Sequence, residues 1–231
     1  MGILDGFRKR RDSARHRRDT EVFGRQNTVW TEEAARVDEM LDVVRECLAG
    51  RLDTYFGGKD DYGFMVAADE TPLCYLEGAA YLENVRAPSR TKGGYGGVSF
   101  PLFGGVRLNT GRISGNTVPG REQTTMTDEG NALITDKRVI FVGSRRNQEW
   151  SFAKMLGMTH MPEGYTVFAV RNRTKPTGIG YGSGVGTDVQ FRLELASALA
   201  TGTLTRFEGE LIAEKARIDA ARPVPPPPPT P

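Results

Sequence analysis

Cysteine and histidine are scarce in this chain of 231 residues, which holds two of each. Cys47 and Cys74 are too few for a disulfide framework and lack the pairing of a zinc ribbon, so reduced, mostly buried thiols are expected. His16 and His160 are the only imidazoles. Any histidine-based triad has to use one of them, and neither an HExxH motif nor an EF-hand calcium loop occurs. Long apolar runs are missing as well. The longest uncharged stretch, Gly93 to Val106, is interrupted by glycines and Pro101 and falls short of the roughly 20 residues a membrane-spanning helix needs. The N-terminus has no apolar block followed by a small-residue cleavage site, so no secretory signal is expected. Phosphate-cradling loops are absent too: the only Gly-Lys pair, Gly58-Lys59, is followed by Asp60, and the alternate glycines from Gly178 to Gly186 fit no GxGxxG frame, reading instead as a loop or hairpin. The carboxylate pair Asp60-Asp61 sits in a polar loop where solvation accounts for it. Together these absences predict a protein that is not an enzyme, carries no cofactor and no metal, and is cytoplasmic, at most peripheral to a membrane.

What the chain does have is glycine, 28 residues of it in short runs, which favours turn-rich β structure over helical bundles. Charge is unevenly placed. The net charge of +2 conceals a head in which Arg8, Lys9, Arg10, Arg11, Arg15, Arg17 and Arg18 stand against Asp5 and Asp12 alone. Ile3, Leu4 and Phe7 precede them at helical spacing. Residues 1–29 are therefore expected to be a basic, flexible head whose apolar tip and arginines contact either an anionic membrane surface or nucleic acid. Myristoylation is not expected, because Gly6 stands where the motif needs Ser or Thr.

Over 30–50 the pattern changes to an amphipathic helix: Thr31 as cap, Val37, Leu41, Val44 and Leu48 as the apolar stripe, and Gly50 beyond the end. Short apolar runs between turn signals then predict strands near 79–85, 98–108, 112–118, 131–135, 138–143, 148–152 and 165–170, with a weaker one near 177–181. Helical spacing returns over Thr187–Ala200, closed by Gly202, and again over 203–222. The last nine residues, PVPPPPPTP, favour polyproline II and are expected to be a disordered tail or a docking strip.

The most specific local pattern is GNALITDKRVIFVG, residues 130–143, a β-hairpin with its turn at Asp136-Lys137. The continuation to Trp150, Phe152 and Lys154-Met155-Leu156 extends it, and Leu76-Glu77-Gly78 with Gly97-Val98-Ser99-Phe100 reads as opening strands. This run resembles the central hairpin of bacterial pleckstrin-homology-like domains, which are related to PH and GRAM domains. The resemblance covers residues 73–201. It implies an α+β fold, a partly closed antiparallel β-barrel of PH-like type capped by a C-terminal helix over Phe191 to Leu199, with the N-terminal amphipathic helix as an addition. Eight predicted strands against the family's seven, and the extra helix, are departures from the pattern.

If the strands alternate strictly, the loops 86–97, 119–130, 144–147 and 171–176 emerge at one end. They bring Arg86, Arg90, Lys92, Arg121, Arg145, Arg146, Arg171, Arg173 and Lys175 together as an anion-binding rim, with Glu122, Asp128 and Glu129 as the acids among them. The expected function is a non-enzymatic binding or adaptor module that contacts an anionic membrane surface or a protein partner and is able to self-associate. The alternative is a nucleic-acid-binding accessory protein that uses residues 1–18.

Overall fold

The computed structural model describes residues 3–56, 63–86, 96–101, 107–112, 122–171 and 173–228. They fall into two compact units, one of Met1–Val43 with Gly209–Pro231 and one of Val44–Glu208. The fold is α+β.

The larger unit is built on a seven-stranded antiparallel sheet. Its strands are β1 (Pro72–Arg86), β4 (Glu122–Thr135), β5 (Arg138–Gly143), β6 (Asn147–Ser151), β7 (Met155–Met161), β8 (Tyr165–Val170) and β9 (Thr177–Gly180), in the order β6-β5-β4-β1-β9-β8-β7. A separate pair, β2 (Gly96–Pro101) with β3 (Arg107–Arg112), lies in sequence between β1 and β4. The expected partly closed barrel is corrected here to an open sheet whose edges are β6 and β7. Side chains bridge β6 to the β8–β9 region instead: Trp150 Nε1 of β6 donates to Thr177 Oγ1 at 2.8 Å, and Arg173 Nη2, from between β8 and β9, donates to the Glu149 carbonyl of β6 at 3.0 Å.

The hairpin is where sequence and structure agree most closely. β5 occupies 138–143 as its short apolar run predicts, and β8 likewise occupies 165–170. The register sets which side each residue faces. Ile134 is partnered with Val139 and Ala132 with Phe141, whereas Leu133 is opposite Ile140 and so points to the other side, where it is also buried. The glycines that bracket the hairpin, Gly130 and Gly143, are partners, and a Cβ on Gly130 would collide with the Val142 carbonyl. Gly178 belongs to β9, which occupies the weaker strand expected near 177–181, and a side chain there would strike the Thr166 backbone of β8. β9 lies between β1 and β8, so backbones on both sides approach it.

The core gathers Tyr81, Phe141, Trp150 and Phe168 under helix α3 (Gly186–Thr201), which contributes Val189, Leu193 and Ala196. Tyr81 and Trp150 stack at 5.9 Å, and Trp150 meets Phe168 at 5.0 Å. Gly202, at φ 67°, ends α3 as expected by donating to the Ala198 and Leu199 carbonyls.

β7 was not foreseen; of the run expected over 98–108, residues 98–101 belong to β2 and 107–108 to β3, and the strand expected at 112–118 lies outside the described residues beyond Arg112. β6 and β7 run in the same direction, joined through a single 3-10 turn at Phe152–Lys154. The turn is pinned on both sides, since Phe152 N–H donates to the Lys137 carbonyl and Lys154 accepts from Arg171 N–H.

Helix α1 runs from Ile3 to Leu48 without interruption, and a single short turn of helix, α2 (Leu52–Phe56), comes next in sequence. The flexible head expected over 1–29 is therefore helical from Ile3, and the helix expected over 30–50 begins far upstream of Trp30. The reason is local. The head contains no proline and is rich in Arg, a good helix former. Thr31 is accordingly no cap; its hydroxyl donates to the Asn27 carbonyl one turn back, as Thr28 does to Gly24 and Thr20 to His16. Gly50, at φ 73°, follows the helix end as predicted.

In the smaller unit, Val37 and Leu41 of α1 and Leu211 and Ile218 of α4 (Leu204–Ala220) are buried. Trp30 Nε1 donates to the Ile218 carbonyl at 2.8 Å, Lys215 pairs with Asp38, and the Arg222 guanidinium lies 4.9 Å over the Trp30 ring. Residues 223–228, expected to be a disordered tail, follow α4 with Pro223 and Pro226 half-buried and the residues between them exposed. A spacing of three is one turn of polyproline II.

Candidate anion-binding surfaces

The rim residues divide by location. Arg90, Lys92 and Arg121 lie outside the described residues, and Arg86 ends β1. Arg145, Arg146, Arg171, Arg173 and Lys175 are all exposed. The two described loops do reach the same end of β1. Arg146 Nη1 pairs with Glu83 Oε1 at 2.8 Å, and Thr177, which follows the 171–176 loop, is the backbone partner of Glu83. The overlooked strand β7 does not disturb this, because β6 and β7 are parallel in direction and the connection between them adds no reversal.

Bringing the loops together does not leave all their charge unspent. Arg146 is held by Glu83 and stacks 5.6 Å over Tyr81, and Arg173 is turned onto the Glu149 carbonyl. Arg145, Arg171 and Lys175 stand in solvent. The third loop expected over 119–130 is corrected: from Glu122 onward it is strand β4. Asp128 is consequently no loop acid. Its carboxylate accepts from the Ser144 hydroxyl at 2.8 Å and from the backbone N–H groups of Arg145 and Arg146, both at 2.9 Å. Burial pushes its pKa up, but these donors outweigh it and hold the carboxyl below the ordinary aspartate value. Asp128 thus builds the turn that presents Arg145. Nothing in the sequence signals this, because acceptor and donors stand 16 to 18 residues apart.

At the other end of β5 a second carboxylate does comparable work. Glu70 is buried and accepts from Thr135 Oγ1 at 2.7 Å, from Arg138 Nε at 2.9 Å and from Ala67 N–H at 3.1 Å. Its pKa is raised by burial and lowered more by these donors, for a net fall. Arg138 also reaches Glu149 at 2.6 Å and the Met65 carbonyl at 3.0 Å. The arginine of the GNALITDKR motif is therefore committed within the fold.

His160 lies in a polar chain buried in the larger unit. Its Nδ1 is 2.8 Å from Thr166 Oγ1 and its Nε2 3.0 Å from Glu194, and Thr166 is in turn 2.7 Å from Tyr181 Oη. The carboxylate fixes the imidazole: with Nε2–H donating to Glu194, Nδ1 accepts from Thr166. Thr166 and His160 are at most 1 % exposed, so the hydroxyl has no approach from solvent. Burial pushes the Cys47 and Cys74 thiols up to about 11, which leaves both as weak nucleophiles. Among the described residues no group of three His, Cys, Asp or Glu is placed to hold a metal ion.

The basic head presents the more open surface. Backbone helix runs through Ile3, Leu4, Phe7, Arg8, Lys9, Arg10 and Arg11, and Arg15, Arg17 and Arg18 continue it. Arg15 has 85 % of its side chain exposed, with Asp19 4.0 Å away one turn on. Further along, the smaller unit holds a groove of about 490 Å³ lined by Arg25, Val29, Trp30, Arg217, Ile218 and Pro223. Among the described residues no helix is long and apolar enough to cross a membrane. Comparison of the chain with family models, with curated proteins and with solved structures gave no match.

Proposed function

We propose that this protein is a non-enzymatic binding module, a PH-like scaffold held to an anionic surface by the basic N-terminal half of helix α1. Seven antiparallel strands followed by a helix support the scaffold half of this reading, because the resemblance calls for that number of strands and that closing element. The observation that carries the function is the continuity of α1. Seven arginines and lysines within residues 1–18 belong to one helix, where they act together as a polybasic segment. Each Arg or Lys near an anionic surface contributes about 1 kcal/mol, and the attraction is screened over roughly 10 Å at ordinary salt.

Co-sedimentation of the full chain with vesicles of phosphatidylglycerol and phosphatidylcholine tests it, with a DNA and RNA shift assay run across the same salt series. Binding to anionic but not neutral vesicles, weakening as salt rises, is expected. Deleting residues 1–18 is expected to abolish it and leave the melting temperature nearly unchanged. Binding undiminished in the truncated protein overturns the proposal, and retention of nucleic acid without vesicles replaces the anionic surface with a polynucleotide.

A further inference from the structure

The arginines of α1 are not spread evenly around the helix. At about 100° per residue, Arg15, Arg18, Val22, Arg25 and Val29 follow alternating steps of three and four and so share one stripe roughly 21 Å long. A second stripe, about 100° further round, holds Asp19, Phe23, Trp30 and Val37. That second stripe is the one the C-terminal segment covers: Val37 is buried, and Trp30 donates to the Ile218 carbonyl. The first stripe is exposed, and at its far end Arg25 and Val29 border the groove that the C-terminal segment also lines. Arg15 is 85 % exposed in its side chain, Val22 42 % and Val29 54 % exposed.

The composition of the open stripe specifies what it fits. Valines set between arginines on a solvated helix are apolar surface left in water, and arginine stems lie along such surface while their guanidinium groups reach outward to phosphates. A polynucleotide would meet the arginines and leave the valines hydrated. A bilayer interface takes both, phosphates above and acyl chains beneath. By sequence register Leu4, Phe7 and Arg11 continue the same stripe upstream, whereas Asp5, Asp12 and Asp19, seven residues apart, keep to the other.

We propose that helix α1 lies in the plane of an anionic lipid bilayer on the stripe Arg15, Arg18, Val22, Arg25 and Val29, with its acidic stripe turned away. This rests on the anionic-surface reading above and adds the partner and the face. Vesicle binding by paired variants tests it. R15Q/R18Q and R10Q/R17Q remove the same charge, but Arg10 and Arg17 sit roughly 120° round the helix from the first pair. R15Q/R18Q is expected to weaken partitioning about 25-fold, some fivefold per arginine, and R10Q/R17Q less than about threefold. R15K/R18K, which keeps the charge, is expected to stay within about threefold of the parent. V22N/V29N is expected to remove the binding that survives high salt, since that share is apolar. Equal losses in the two glutamine pairs overturn the orientation while leaving the anionic-surface reading in place. No loss in either pair overturns both. Loss of DNA or RNA binding in R15Q/R18Q, with no vesicle binding by the parent, overturns the bilayer as partner.

Discussion

The β4–β5 hairpin and the N-terminal half of helix α1 are both regular, continuous and strongly patterned in sequence, yet they obtain their regularity from opposite sources. The hairpin is regular because burial selects it: Ile134, Val139 and Phe141 are fully buried, and each turn at its ends is tied by an inward carboxylate, Glu70 or Asp128. The helix is regular because nothing interrupts it. Between Ser13 and Val29 its side chains are exposed or half-buried, and its stability there comes from propensity and from pairs such as Arg15 with Asp19. A side chain in the first region answers to the core; one in the second is free to answer to a partner.

Substitutions separate the two. Phe141→Ala has the largest expected effect, a loss of about 3–5 kcal/mol in chemical denaturation, because a fully buried ring between Tyr81 and β4 leaves a cavity that the sheet cannot close. A silent result would mean that the hairpin face is not the core. Glu70→Gln comes next, at about 2 kcal/mol near neutral pH, since Arg138 and Thr135 lose a charged acceptor. The pH dependence has a definite sign. Glu70 is held below its ordinary pKa in the fold, so its contribution is fully present above the ordinary glutamate value and is lost as pH falls through the lowered one. The gap between parent and variant should therefore shrink in acid, and a gap that widens below pH 4.5 contradicts the assignment. Smaller still is the contrast at the β5–β6 turn: Arg146→Ala is expected to cost about 1 kcal/mol through Glu83 and Tyr81, and Arg145→Ala no more than about 0.5 kcal/mol. Reversal of that order would place the solvated rim arginine in the wrong turn position.

The same contrast explains what the sequence made legible. β5 (RVIFVG) and β8 (YTVFAV) are short, mostly apolar runs set between turn signals and could be bounded to the residue. β7, MLGMTHM, has Gly157 and three methionines in place of β-branched alternation, so the local signal is weak and its membership is decided by pairing with β8. The first part of β4, EQTTMTDEG, is polar apart from Met126 and reads as a loop until β1 pairs with it. Of the candidate rim, the loops could be assigned to a common end by counting reversals. The partners that consume Arg146 and Arg173 could not, since Glu83 and Glu149 are brought to them only by the folded sheet. For α1 the composition of the head showed its charge; beyond the helical spacing of Ile3, Leu4 and Phe7, the solvated stretch up to Trp30 carries no continuous apolar stripe to announce its helicity.

The ladder between β1 and β4 carries one consequence of a different kind. Arg86 and Glu122, the last and first residues of those strands, are direct backbone partners. The segment from 87 to 121 therefore departs from and returns to a single rung, like a graft on the tip of a hairpin. The cost of closing such an excursion grows only with the logarithm of its length. Length and content between these two positions are thus decoupled from the register of the sheet. A short turn in its place, or an unrelated domain spliced between residues 86 and 122, leaves every rung of the ladder where it was, which makes this the position at which the scaffold can acquire or exchange a function without being redesigned.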